Sequence, residues 1–224
     1  ANGRAAIETF LQNGGRLCLM LPVAGTTGLE GSLAARGISV LPGVIANVGR
    51  DARGLTRENW QIEVRRFDPA HPISRTFVSG EDRALYAGVR ALAGEDGATL
   101  LLTSADDCWL ETGRTLRRDA GDPSGPFPVA VANEREDERI VVFGTAFATR
   151  DQNYTGVARQ LLLNSVFWLT DQDLLTSGAL ASERTRQIEL DDATRSAFFW
   201  TTIVAMPGCS ILAGLFAFWI RRRA

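Results

Sequence analysis

The sequence contains no lysine. All 24 basic residues are arginine, and 26 acidic residues oppose them, so the net charge is −2. Chemistry that needs a lysine amine, such as a Schiff base or the lysine of a phosphate-binding loop, is therefore excluded. A near balance of charge also gives no support to a nucleic-acid partner, which would need a basic face. We predict no nucleic-acid binding.

Histidine and cysteine are also scarce, with one histidine and three cysteines. Three cysteines are too few for a disulfide framework, and a single histidine excludes a histidine-rich metal site. A Cys18–Cys108 bridge is one interpretation, but we expect free buried thiols. The glycines form neither a GxxxxGK nor a GxGxxG phosphate motif. We therefore predict no cofactor and no metal.

This scarcity leaves one pair for nucleophilic catalysis, Cys108 and His71. A cysteine nucleophile needs a histidine base and a group that orients the base, here one of three acids: Asp106, Asp107 or Glu111. However, Cys108 does not lie in a glycine-flanked turn, and the proline after His71 indicates a structural turn. We predict that the protein is not an enzyme and that it has no catalytic residue; a membrane-tethered cysteine hydrolase or amidotransferase is the alternative.

A single long segment lacks charge. The 23 residues 198–220 read FFWTTIVAMPGCSILAGLFAFWI and are followed by Arg221, Arg222 and Arg223. As a helix with about 1.5 Å rise per residue, this run would cover roughly 34 Å, close to the about 30 Å of a bilayer core. Trp219 beside the arginines is typical of a membrane boundary. The sequence predicts a transmembrane helix over 197–220 and a tail over 221–224; a buried core helix is the alternative.

Small residues recur four apart in this segment, a spacing that lets another helix approach closely in lipid. The pairs are Ala205 with Cys209, Ser210 with Gly214, and Ala213 with Ala217. We predict helix–helix contact there and a kink at Pro207-Gly208. A plain lipid-facing anchor is the alternative.

The rest of the chain alternates helices and short apolar strands, as α/β folds do. We predict one domain over 1–170 with a mostly parallel sheet, and a polar linker over 171–196. The predicted elements are helices over 4–12, 29–36 and 157–169, strands over 17–21, 100–103 and 140–143, an exposed or edge strand over 60–67, and a hairpin over 127–144. Because the chain starts within a helix and without Met, we expect it to be the C-terminal portion of a longer protein.

Open α/β sheets bind ligands at the carboxyl ends of their strands. The segment after the strand 140–143 carries the polar residues that such a site would use. The candidate ligand or partner loop is Thr145, Arg150, Asp151 and Asn153. A strand end that simply turns into a helix is the alternative interpretation.

Several motifs together resemble the gliding-motility GldG-type auxiliary proteins of ABC transporters. In chain order they are NGGRLCLML, HPIS, TSADDCW, GPFPVA, VVFGTAF, LLLNSVFWLT and the terminal apolar helix with its three arginines. The resemblance covers nearly all 224 residues. It implies an α/β domain similar to glutamine-amidotransferase-like or flavodoxin-like folds, without amidotransferase chemistry. This sequence departs from the family at 144–147, where GTAF lacks the acidic residues that the family carries.

The resemblance implies a function and a location. We expect a non-catalytic, membrane-anchored auxiliary subunit whose partners are permease and ATPase subunits or another membrane-protein assembly, together with the lipid bilayer. The expected location is the bacterial inner membrane, with the α/β domain on the extracytoplasmic side and Arg221 to Arg223 in the cytoplasm. A receptor domain that binds a sugar or a peptide is the alternative function.

Overall fold

A computed structural model of the chain describes residues 2–50, 56–95, 97–113, 116–149, 156–172, 196 and 199–223. The chain consists of two compact units, residues 1–184 and 185–224.

The first unit contains three α-helices and eleven strands among its described residues. The helices are α1 (Asn2–Gln12), α2 (Glu30–Ala34) and α3 (Gly156–Leu169), and a 3₁₀ turn covers Ala146–Thr149. The strands are β1 (Arg16–Met20), β2 (Ile38–Val40), β3 (Val44–Arg50), β4 (Thr56–Asn59), β5 (Gln61–Phe67), β6 (Ala84–Ala87), β7 (Leu92–Gly94), β8 (Thr99–Ser104), β9 (Trp109–Glu111), β10 (Pro128–Arg135) and β11 (Glu138–Phe143).

Six strands form the main sheet, in the order β1-β11-β10-β8-β5-β6. Only β1 and β11 are parallel, with Arg16 opposite Arg139 and Met20 opposite Phe143. The other four neighbouring pairs are antiparallel. Two small antiparallel sheets, β2-β7 and β4-β3-β9, complete the unit.

The prediction of a mostly parallel, flavodoxin-like sheet is therefore wrong. A parallel pair needs a crossover connection of a dozen or more residues, usually a helix, whereas antiparallel strands can be joined by a tight turn. Strands β10 and β11 are joined by the two-residue turn at Glu136 and Asp137, and Glu136 adopts a φ of 52° there. Among the described residues, no helix lies between β5 and β11, so the middle of the chain lacks the crossovers that a parallel sheet requires.

Helices cover both faces of the main sheet. Alternate residues of β1, β10 and β11 point to opposite faces, as the period of a strand requires. One face carries Val141 and Phe143 and packs with α3 through Leu161 and Trp168. The other face carries residues such as Val142 and packs with α1 and α2 through Leu11 and Leu33. The predicted ligand loop begins at Thr145, two residues after the end of β11.

Several local predictions are confirmed. Helix α3 begins one residue before the predicted range, and the predicted strands over 100–103 and 140–143 lie inside β8 and β11. Leu101 and Leu102 are buried, although Leu100 is 40% exposed. The hairpin is formed by β10 and β11. The edge position predicted for 60–67 is wrong, because β6 pairs with β5 on the side away from β8.

In the second unit, a π-helical stretch, Trp200–Ala205, leads into an α-helix, α4 (Met206–Arg223). The N–H of Met206 donates to the carbonyl of Thr201, five residues earlier. Pro207 has no N–H to donate, which favours a widened turn before it.

The prediction of a transmembrane helix over 197–220 is also wrong. Among the described residues, none of the helices combines the length and the apolar character needed to cross a bilayer. Helix α4 has 18 residues, of which the last three are arginines. The apolar run is divided between the π-helical stretch and α4, so α4 itself has fifteen residues before its arginines.

Candidate functional site

Thr145, the first residue of the predicted ligand loop, lies fully buried at the end of β11. Its hydroxyl donates to the carbonyl of Ala87 at 2.8 Å and accepts the N–H of Phe147 at 3.0 Å. Both hydrogen bonds are internal to the unit. Thr145 therefore joins β11 to the end of β6 and starts the 3₁₀ turn.

The chain after β6 closes the end of β11. The N–H of Arg90 donates to the carbonyl of Gly144 at 2.7 Å, and the N–H of Gly144 donates to the carbonyl of Val129 at 2.8 Å. A Cβ at residue 144 would collide with the carbonyl oxygen of Arg90 and lie 3.1 Å from a methyl of Val89. Only glycine fits this close approach. Backbone thus packs where an open α/β sheet would receive a ligand.

The other three members of the predicted loop, Arg150, Asp151 and Asn153, lie outside the described residues. The loop as a ligand or partner site stays a prediction for those three positions. For Thr145, the described contacts give a structural role.

Cys108 does not have the environment of a nucleophile. It is 1% exposed and packs in the core with residues of β8 and β10. Burial raises the pKa of the Cys108 thiol, and the nearby carboxylate of Asp107 raises it further. A reactive cysteine needs the opposite, an electropositive and partly exposed setting that stabilises the thiolate.

His71 anchors a turn on α3. Its Nδ1 accepts the N–H of Ile73 at 3.2 Å, and its ring lies 5.0 Å from the ring of Trp168. The carbonyl of Ile73 accepts the side-chain N–H of Asn164 at 2.9 Å. The turn predicted from Pro72 is therefore present, and it packs against the helix.

Two of the three acids proposed to orient His71 are engaged elsewhere. The carboxylate of Asp106 binds the guanidinium of Arg66 at 2.9 and 2.5 Å. Glu111 is buried and accepts the N–H groups of Gly113 at 2.7 Å and Arg117 at 3.1 Å. Glu111 therefore organises the loop after β9. Asp107 is exposed.

A cluster that sequence reasoning missed lies at the end of α3. Arg16 and Arg139 donate to the last carbonyls of the helix, those of Leu169 at 2.8 Å and Trp168 at 2.6 Å. Both guanidinium groups also bind Asp171, at 2.5 and 2.7 Å. Cations at a helix C-terminus satisfy its free carbonyls and its dipole. The partners lie far apart in sequence, so no local pattern indicated them.

The second unit has the most distinctive surface. Along 199–220, most large apolar side chains that the structure describes are exposed: Phe199, Trp200, Ile203, Val204, Met206, Ile211, Leu215, Phe218, Trp219 and Ile220. Arg221, Arg222 and Arg223 are exposed in the last turn of α4. The guanidinium of Arg223 lies 3.5 Å from the ring centre of Trp219. Apolar surface and arginines are thus adjacent at the end of this helix.

The residues predicted to contact another helix all lie in this unit. Cys209 is exposed. The side chains of Ala205, Ser210, Gly214 and Ala217 are outside the described set, although their backbone positions lie in the π-helical stretch or in α4. Helix–helix contact through them stays a prediction.

Metal and cofactor sites were not expected. Within the described part of the chain, no three His, Cys, Asp or Glu residues come together as metal ligands would. The expectation of no cofactor stays a prediction.

Comparisons with known proteins bear on the fold alone. No family model matches the chain, and no curated protein matches it. Among solved structures, the chain is similar to the N-terminal domain of IFT52, with 16% identity, a TM-score of 0.56, and 76% of this chain and 71% of that chain covered. At this identity the likeness concerns the architecture and not the activity.

Proposed function

We propose that the protein is a membrane-attached, non-catalytic subunit of a larger membrane complex. The observation that carries the proposal is the exposed apolar surface of the segment 199–220, which ends at three arginines. Soluble proteins seldom expose a contiguous apolar surface of this kind unless it meets a membrane or a partner. Lipid hydrocarbon is the environment in which ten exposed large apolar side chains would be stable.

The aromatic residues of the second unit support lipid contact. The segment contains two exposed tryptophans, Trp200 and Trp219. The ring of Trp200 packs edge-on against that of Phe199, with centroids 5.9 Å apart. Tryptophan is enriched at the boundary between hydrocarbon and water, because its ring is apolar and its N–H is polar.

The non-catalytic part of the proposal rests on the first unit. Cys108, the sole cysteine considered as a nucleophile, has a buried thiol with a raised pKa. The resemblance of the motifs to GldG-type auxiliary proteins makes an ABC-type transport assembly the first partner to test. The extracytoplasmic location of the α/β unit and the bacterial inner membrane remain predictions with it.

Vesicle flotation of the full chain tests the attachment. We expect the protein to float with mixed phosphatidylcholine and phosphatidylglycerol vesicles. A variant with three charges in the apolar surface, Ile211→Glu, Leu215→Glu and Phe218→Glu, should remain at the bottom of the gradient. The matched control places the same charges at exposed valines of the first unit: Val48→Glu, Val78→Glu and Val166→Glu. Equal flotation of the two triple variants would contradict the proposal.

Co-purification in mild detergent tests the complex. We expect membrane subunits to be retained with the wild-type chain and to be reduced by Gly214→Ile, which would fill a position where another helix could approach closely. Cys108→Ala should retain the partners and any activity of the complex. Loss of that activity with the partners still bound would instead favour a cysteine enzyme.

A further inference from the structure

We infer that the end of α4 is a recognition site for anionic phospholipid headgroups. The site consists of Arg221, Arg222 and Arg223, with Trp219 packed against the last of them. This inference rests on the proposed membrane attachment and names the class of lipid that the attachment selects.

The charge of the arginines is not balanced by any acidic side chain in the described part of the chain. They are contiguous in the last turn of α4, and none of them forms an ion pair with another described residue. By contrast, Arg16, Arg36 and Arg139 of the first unit each bind carboxylates. Three adjacent guanidinium groups on one helical turn form a positive surface that attracts counter-ions, and phosphate groups match the fork of a guanidinium.

The placement of these arginines fits a headgroup layer. The apolar residues Leu215, Phe218 and Ile220 precede the arginines directly and are exposed. If these side chains meet hydrocarbon, the next helical turn reaches the phosphates, since one turn rises about 5.4 Å. The C-terminal end of a helix carries partial negative charge, so arginines are favourable in this position.

Trp219 positions Arg223. The guanidinium lies over the face of the indole at 3.5 Å, a distance within the range of a cation–π contact. The pair is held between residues four apart on one helix face. Stacking fixes the direction of a long, flexible side chain before it meets a phosphate, so Trp219 acts as a positioning residue.

The test measures the vesicle affinity of the full chain with two lipid compositions, phosphatidylcholine alone and phosphatidylcholine mixed with phosphatidylglycerol. Near an anionic membrane surface each arginine strengthens binding about fivefold, so we expect a preference for the mixed vesicles of roughly tenfold to a hundredfold. Molar salt should remove most of this preference, because the screening length falls to about 3 Å.

Two variants assign the preference to the site. Changing Arg221, Arg222 and Arg223 to Gln should remove the preference and leave binding to pure phosphatidylcholine within about twofold, because the apolar surface is unchanged. The control changes three exposed arginines of the first unit to Gln: Arg117, Arg135 and Arg159. Trp219→Leu should reduce the preference by about twofold to fivefold, the value of one cation–π contact.

The outcomes separate the two proposals. Equal binding of the wild-type chain to both vesicles would overturn the headgroup inference and leave membrane attachment standing. Failure to bind either vesicle would overturn the attachment itself. The inference would also be overturned if the Gln variant of Arg221, Arg222 and Arg223 kept the preference while the control variant lost it. Another basic surface would then be responsible.

Discussion

The two units of this chain treat apolar and charged side chains in opposite ways. In the first unit, Leu161 and Trp168 are enclosed between a helix and a sheet, and Arg36 is held by Glu8 at 3.0 Å and by Glu138. In the second, Leu215 and Phe218 are exposed, and the arginines at the end of α4 have no acidic partner among the described residues.

This difference shows which unit can bury its apolar side chains within itself. Burying apolar surface is the main favourable term in folding, at about 25 cal/mol per Å². The first unit obtains that term from its own layers. The second leaves its apolar surface exposed, and the proposed membrane attachment would remove that surface from water. The proposed function therefore rests on the second unit, whereas the first unit forms the α/β fold.

The largest contrast should appear in thiol reactivity. Cys209 is exposed, whereas Cys108 is buried. Burial also raises the pKa of Cys18 to about 11. A thiol with a pKa of about 11 has on the order of a hundredfold less thiolate at pH 8 than an ordinary cysteine with a pKa of about 8.5. We expect iodoacetamide to modify Cys209 at least about a hundredfold faster than the other two, as followed by mass spectrometry.

The same reaction also reports on the environment of the second unit. Vesicles should slow the modification of Cys209 if lipid covers this surface, and they should leave Cys18 and Cys108 unaffected. Unfolding in urea provides the control, because the three thiols should then react at similar rates. Rapid modification of Cys108 in the folded chain would contradict its burial and reopen the question of catalysis.

The next contrast compares one substitution in both units. Leu161→Ala removes a fully buried side chain from the core, and we expect a loss of about 2–5 kcal/mol in the free energy of unfolding. Leu215→Ala changes a side chain that is 59% exposed, so the unfolding of the first unit should change by less than about 0.5 kcal/mol. Urea unfolding of the full chain in mild detergent, followed by near-ultraviolet circular dichroism, measures both. Equal losses would remove the distinction between the units.

Local patterns predicted the elements well and their pairing poorly. Helix α3 was predicted from its apolar periodicity, and the hairpin of β10 and β11 was predicted from its charged turn. Each of these signals lies within a short stretch of sequence. Sheet direction depends instead on strands far apart in sequence: β1 pairs with β11 and β5 pairs with β8. Alternation within one strand carries no information about which neighbour it meets, so the parallel sheet and the edge position of 60–67 were both wrong.

The candidate ligand loop stays a prediction, although the contacts of its described residue give that residue a structural role. Thr145 does lie at the carboxyl end of a strand. Its hydroxyl is occupied by the carbonyl of Ala87, which is 58 residues away in sequence. Similarly, Arg16 meets the end of α3 across 153 residues. Contacts between residues so far apart in sequence cannot be predicted from the local motifs around either residue.

Two glycines test how tightly the first unit is closed. Gly144→Ala would drive a Cβ into the carbonyl of Arg90, and we expect it to cost about 1–3 kcal/mol of unfolding free energy. The matched control, Gly31→Ala, adds a Cβ to α2 where nothing lies within 4 Å, and it should stabilise by about 0.4–1 kcal/mol. Thermal unfolding of both variants measures whether each substitution lowers or raises the stability. Stabilisation by Gly144→Ala would show that the end of β11 has room for a ligand.

The smallest effect should come from pH at the end of α3. The hydrogen bond from Arg16, aided by the charge of Arg139, holds the pKa of Asp171 below its usual range. The carboxyl therefore binds its proton more weakly in the folded chain than in the unfolded one. Its stabilising contribution is complete above the unfolded pKa of about 3.9 and is lost as the pH falls through the lower folded value.

Asp171→Asn isolates this contribution, because asparagine has the same shape and tolerates the φ of 56° at this position. We expect the variant to have a lower Tm than the wild type at about pH 6, by a small amount because the carboxylate is exposed, and the difference should be smaller at about pH 2. Asp107→Asn is the control, since Asp107 is exposed and forms no ion pair with any residue that the structure describes. A Tm difference of equal size at both pH values would show that the charge of Asp171 contributes nothing. The two arginines would then hold the end of α3 through its carbonyls alone.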